Sequence, residues 1–188
     1  LILTTSTDKR ARVWDVQTGD LVALLAGHRD VVRDAQWRRD GTAILSSSDD
    51  HTARLWDLAL ANRPRGELPV LSGHSWPIEE LVLNQDKSLL LTAGDDGVAR
   101  VWDTATGALR LTLTGHEDIV WRARWSPDER RIATASNDGT ARVWDAQSGE
   151  LLLTLTGHAG WSMDGVSWNA EGTRLLTISN DGTARVWD

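Results

Sequence analysis

Leu109-Arg110-Leu111-Thr112-Leu113, Val120 to Trp125, Ile132-Ala133-Thr134-Ala135-Ser136 and Ala141-Arg142-Val143-Trp144 are four short runs in one stretch of the chain. Between them lie Gly115-His116-Glu117-Asp118, Ser126-Pro127-Asp128-Glu129 and Asn137-Asp138-Gly139, all of turn-forming composition. The first run alternates apolar and polar residues, and no window of about 11 residues keeps a 3.6-residue apolar period. Four strands joined by tight turns read as an antiparallel meander.

Working outward, the stretch recurs. Its end, Val143-Trp144-Asp145, has counterparts at Val13-Trp14-Asp15, Leu55-Trp56-Asp57, Val101-Trp102-Asp103 and Val186-Trp187-Asp188. Successive Trp residues are 42, 46, 42 and 43 apart. Gly27-His28, Gly73-His74, Gly115-His116 and Gly157-His158 precede the following Trp by 28, 28, 28 and 29 residues. A fixed period near 40 residues marks a repeat array. The chain divides into a partial repeat, 1–15, and full repeats 16–57, 58–103, 104–145 and 146–188. The one insertion, Ala59 to Leu68, carries Asn62-Arg63-Pro64-Arg65-Gly66 and accounts for the spacing of 46. A single four-stranded unit buries too little to stand alone, so neighbours must stack on it.

Composition excludes several functions. The net charge of −7 opposes a general nucleic-acid surface, which needs a basic stripe. The run Arg29 to Arg39 interleaves its arginines with Asp30 and Asp34 and reads as a solvated face. The longest apolar run, Leu21 to Ala26, is too short to cross a bilayer as a helix. With no Cys there is no disulfide or thiolate metal site; the compartment stays open, with the cytoplasm as default. No cofactor is expected. The 18 Arg against 2 Lys, and 11 Trp without Phe or Tyr, suggest a GC-rich, bacterial coding sequence.

Gly-His followed by Ser-x-Asp-Gly-Thr-x-Arg-Val and Trp-Asp resembles the WD-repeat β-propellers, over essentially the whole chain. That resemblance implies an all-β fold of four-stranded antiparallel blades around a central channel, with the Trp-Asp strand third in its blade. About four and a half blades are present here, an incomplete ring. It also implies a hydrogen-bonded set in each repeat, formed by the His, a hydroxyl, the turn Asp and the Trp. Mapped onto this chain, the sets are His28, Ser48, Asp50 and Trp56; His116, Ser136, Asp138 and Trp144; and His158, Ser179, Asp181 and Trp187. The second full repeat keeps His74, Asp96 and Trp102 but has Gly94 at the hydroxyl position, so its set is expected to be broken or water-filled. The opening fragment keeps Ser6, Asp8 and Trp14.

A Ser, a His and an Asp in one network also suggest a hydrolase triad. Recurrence in every complete repeat, without a G-x-S-x-G elbow, favours architecture instead. His residues one per blade are too far apart to share a metal ion, so none is expected. Arg12, Arg54, Arg100, Arg142 and Arg185 each precede a Trp by two residues and are expected to pair with carboxylates between blades.

Function should sit where the repeats differ. Trp76, Trp121 and Trp161 follow the Gly-His pairs at non-equivalent positions. By the resemblance, residues just after the entry to the strand following Gly-His, and just before the turn Asp, reach the narrower face, where partners dock. Those positions hold Arg33 with Asp49, Glu79 with Asp95, Trp121 with Asn137 and Asp164 with Asn180, plus Thr7 from the fragment. Indole beside carboxylate suits a basic peptide. The expected function is a non-catalytic protein-interaction scaffold. The alternative is the sensor region of a larger bacterial signalling enzyme: a nucleotide-driven ATPase, a kinase or a caspase-like protease. Further blades or domains of a longer chain are expected, as are a protein or peptide partner and no nucleic acid or membrane.

Overall fold

The computed structural model describes residues 1–38, 41–58, 70–159 and 162–188. The insertion Ala59 to Leu68, and Trp161, lie outside the described residues.

Five antiparallel sheets follow one another along the chain. The first holds β1 (Ile2–Thr5), β2 (Arg10–Trp14) and β3 (Leu21–Ala26). The second holds β4 (Val32–Trp37), β5 (Ala43–Ser48), β6 (Thr52–Asp57) and β7 (Val70–Ser72). The third holds β8 (Ile78–Leu83), β9 (Leu89–Gly94), β10 (Ala99–Asp103) and β11 (Leu109–Leu113). The fourth holds β12 (Val120–Trp125), β13 (Arg131–Ser136), β14 (Ala141–Asp145) and β15 (Leu151–Leu155), and the fifth β16 (Met163–Trp168), β17 (Leu175–Ser179) and β18 (Ala184–Trp187). All are meanders in chain order, and the Trp-Asp strand is third in each four-stranded sheet. This is the partial propeller implied by the repeats. We call the sheets blades one to five.

The blades stack face to face because both faces of their middle strands are apolar. Leu91, Ala93, Ala99 and Val101 of blade three close on Val120, Ala123, Ile132 and Trp144 of blade four. Equivalent clusters join blades two and three, four and five, and one and two. Trp37, Trp125 and Trp168, with Leu83 at the matching place in blade three, seat against the preceding blade. Two of these indoles also donate backward, Trp125 Nε1 to Val82 O at 3.2 Å and Trp168 Nε1 to Arg124 O at 3.4 Å. The outermost faces show what this stacking covers. Leu91 and Val101 are 0% and 1% exposed, whereas their counterparts in blade five, Leu176 and Val186, are 37% and 67% exposed.

Candidate functional site

Blades two to five each carry a polar chain that fixes the tight turn. In blade two, Trp56 Nε1 donates to Ser46 Oγ at 2.8 Å, and Ser46 Oγ lies 2.7 Å from His28 Nε2. His28 Nδ1 lies 2.9 Å from Asp50 Oδ2. One proton arrangement satisfies all of it: indole N–H to hydroxyl, hydroxyl O–H to Nε2, and Nδ1–H to carboxylate. Blade four repeats it through Trp144, Thr134, His116 and Asp138, and blade five through Trp187, Thr177, His158 and Asp181. In blade one, Trp14 Nε1 donates to Thr4 Oγ1 at 2.9 Å.

The hydroxyl in these chains is therefore not the one expected from the resemblance. Ser48, Ser136 and Ser179 sit two residues too far along the strand. Each instead accepts from the backbone N–H of the turn Asp and donates to a carbonyl of the preceding loop. Ser6 likewise accepts from Asp8 N. The reason is reach. Trp144 stands directly opposite Ile132, so Thr134 is its diagonal neighbour on the same face, within range of an indole, while Ser136 is one further step away.

Blade three is not broken. Thr92 links Trp102 to His74 at 2.9 and 2.8 Å, and His74 Nδ1 lies 2.9 Å from Asp96. What differs is the surround. Val98 stands where Thr52, Thr140 and Thr183 donate to the turn Asp in other blades. Arg100 fills the gap, with Nη1 2.8 Å from Asp96 Oδ2 and 2.7 Å from His74 Nδ1. Gly94 leaves the room, since a Cβ there would come within 2.6 Å of His74 Nδ1. Burial holds the His74 pKa below its ordinary value, with the Arg100 charge acting the same way and Asp96 against it.

Three of the arginines two residues before a Trp also depart from expectation. Arg12 pairs with Asp8, Arg100 with Asp96 and, at 4.0 Å, Arg142 with Asp138. Each partner is the turn Asp of the same blade, four residues back, rather than a carboxylate of a neighbour. In blades four and five the Arg also crowds the Gly of Gly-His: a Cβ on Gly115, whose φ is +141°, would fall 2.5 Å from Arg142 Nη1, and one on Gly157 2.9 Å from Arg185 Nη1.

Against this uniform frame, one set of positions varies. Each inner strand is interrupted by a β-bulge, between Val32 and Asp34, Ile78 and Glu80, Val120 and Arg122, and Met163 and Gly165. The extra residues are Arg33, Glu79, Trp121 and Asp164. A bulge leaves its residue outside the ladder and re-aims it. Here each lies at the strand end shared with the turn that carries Asp49, Asp95, Asn137 or Asn180.

Four equivalent places hold four chemistries. Arg33 grips Asp49 through Nε at 2.6 Å and Nη2 at 3.0 Å. Trp121 donates its indole N–H to Asn137 Oδ1 at 2.6 Å. Asp164 accepts from Ser162 at 3.0 Å, and the backbone N–H of Asn180 donates to Ser162 O. Glu79 faces Asp95, acid against acid, and Asp95 Oδ1 is buried without a hydrogen-bond donor. Burial raises both carboxyls above their usual range; their mutual repulsion raises Glu79 further, while Arg33 pulls both down. On the same rim Trp76 is 61% exposed, its ring tilted over His51 at 6.4 Å. Thr7 lies in the corresponding turn of blade one. Among the described residues no three His, Cys, Asp or Glu side chains converge as a metal site.

The sequence is similar to known proteins throughout. The family profile described as WD domain, G-beta repeat matches residues 19–57, 66–103, 107–145 and 149–188. Nuclear distribution protein PAC1 of Arthroderma otae is 47% identical over 62 residues, 33% of this chain and 13% of that protein. Human WD repeat and SOCS box-containing protein 1 is 46% identical over 59 residues, 31% of this chain and 14% of that protein. The matched stretches thus span only a small part of these curated relatives. The crystal structure of the WD40 β-propeller domain of Doa1 superposes with a TM-score of 0.78 at 26% identity, covering 99% of this chain and 60% of that one. Repeats and blades agree with these matches, and the protein belongs to the WD-repeat family of β-propellers.

Proposed function

We propose that this array is a non-catalytic docking platform whose bulge rim receives a basic segment of a partner protein. WD-repeat propellers in general serve protein–protein interaction, and this chain is one of them. The observation that carries the finer reading is the contrast between the conserved geometry of the four bulges and their divergent chemistry. The polar chain recurs in blades two to five, where it fixes the tight turn; Arg33, Glu79, Trp121 and Asp164 do not recur. Three carboxylates at the rim, Asp49, Glu79 and Asp95, surround one guanidinium, that of Arg33. With Asp164 they leave the rim acidic. Trp76 and the face of Trp121 add aromatic surface on which a cation can rest. The uncovered faces of Leu176 and Val186 support the reading that further blades extend the array.

Isothermal calorimetry with a short peptide of alternating arginine and glycine tests the reading at two salt concentrations. Binding should weaken as salt screens the rim carboxylates. Trp121→Ala should weaken it by at least about 2 kcal/mol, as loss of an anchoring aromatic does. Salt-insensitive binding, unaffected by Trp121→Ala, would place the partner elsewhere.

A further inference from the structure

We propose that Glu79 and Asp95 hold one shared proton at the rim, and that a cationic side chain of the docking partner enters in exchange for it. This rests on the docking reading above and assigns its regulation. The geometry sets this pair apart. The three other bulges supply their own donors: Arg33 to Asp49, Trp121 to Asn137 and Ser162 to Asp164. Glu79 and Asp95 are both acceptors, and Asp95 Oδ1 is buried without a donor. A buried carboxylate oxygen without a donor is costly, and two carboxylates in contact cannot both stay charged cheaply.

The groups acting on the pair are Arg33 and Asp49 from blade two and Asp96 from its own turn. Arg33 is already committed to Asp49 through two hydrogen bonds, and Asp96 to His74 and Arg100. None can serve as the missing donor. A proton does so, bonded to one carboxyl and donated to the other. An arriving ammonium or guanidinium supplies N–H donors instead. The O–H bond then breaks, its electrons stay on the carboxylate, and the proton leaves to buffer. Two negative charges then face the cation in place of one.

The expected signature is proton-linked affinity. Below the pair's transition, affinity for the arginine–glycine peptide should rise by up to about tenfold per pH unit, levelling off above it. Calorimetry in two buffers of different ionisation enthalpy should show about one proton released per peptide bound. Glu79→Gln supplies a permanent amide donor, so it should fold, bind the peptide more weakly and lose both the pH slope and the proton release. Asp95→Asn should do the same and serves if Glu79→Gln does not fold. Carbon-13 carboxyl titration of the peptide-free protein gives a readout independent of any partner.

Ordinary carboxylate titration of both residues overturns the proposal outright. Peptide binding with no pH slope and no proton release overturns it while leaving the docking reading intact. No peptide binding at any pH overturns the docking reading and the exchange together. A raised titration with linked release supports both.

Discussion

Thr134 Oγ1 accepts the indole N–H of Trp144 across 2.9 Å, and neither residue is more than 2% exposed. The same hydroxyl sits 2.8 Å from His116 Nε2. One buried oxygen thus joins the second strand, the third strand and the entry loop of blade four.

Removing that hydroxyl should strand two partners. Thr134→Val keeps the shape but leaves the indole N–H and the imidazole nitrogen unpaired, and should destabilise by about 2–4 kcal/mol. Thr134→Ser should cost far less. Ser136→Ala should cost only about 1 kcal/mol, since Ser136 serves the turn and not the Trp. Urea unfolding of the three variants gives the order. Because stacked repeats can unfold piecewise, hydrogen exchange at blade four should accompany it. Equal losses from Thr134→Val and Ser136→Ala would contradict the assignment.

Gly94→Ser restores the serine found at this place in other blades, yet it should destabilise blade three. Its Cβ would meet His74 Nδ1 at 2.6 Å, inside the space that lets Arg100 reach Asp96. The expected loss is about 1–3 kcal/mol, the usual cost of overpacking. A neutral or stabilising result, read from the same unfolding curves, would mean that the blade tolerates a hydroxyl there.

Acid should weaken the array through its turn carboxylates. Burial pushes Asp96 upward, but hydrogen bonds from His74 and Arg100 outweigh it and hold its pKa at about 2, against 3.8 for a free Asp. In Asp50 and Asp138 the donors win over burial in the same way, the His and Thr side chains leading. A lowered carboxyl contributes stability above its unfolded value, lost as pH falls through the folded one. The unfolding midpoint should therefore drop progressively as pH falls below about 4. Glu79 and Asp95, held high, act in reverse and gain stability as their proton returns. Asp138→Asn should lower stability at neutral pH and flatten the acid slope. An unchanged slope in that variant would remove the turn carboxylates as its cause.

Trp76 and Trp102 separate surface from core. Trp102 is 2% exposed, so Trp102→Ala should cost about 3–5 kcal/mol. Trp76→Ala should stay within about 0.5 kcal/mol in stability, yet reduce affinity for the arginine–glycine peptide. Thermal melts and calorimetry on the same samples make the comparison. A stability loss at Trp76 comparable to Trp102 would place its role in packing.

The recurrence of Trp-Asp and Gly-His was enough to set repeat length, strand number and meander order. These follow from local period and turn chemistry, which any window of sequence carries. The bulge positions were legible as places where Arg33, Glu79, Trp121 and Asp164 break the repeat. The linking hydroxyl was legible too: Thr4, Ser46, Thr92, Thr134 and Thr177 each precede their Trp by ten residues without exception, while the series through Ser48 fails at Gly94. Strand alternation could not choose between them, because residues two apart share a face. Cross-strand register decided it, by setting Thr134 and not Ser136 diagonal to Trp144. Tertiary structure alone decided the rest. Arg100 reaches His74 as well as its own blade's Asp96, because Val98 leaves that carboxylate short of a donor and Gly94 leaves room. Glu79 meets Asp95 because a bulge pushes it out of the ladder. Both depend on which side chains share a buried space, and that is fixed only when the strands pair.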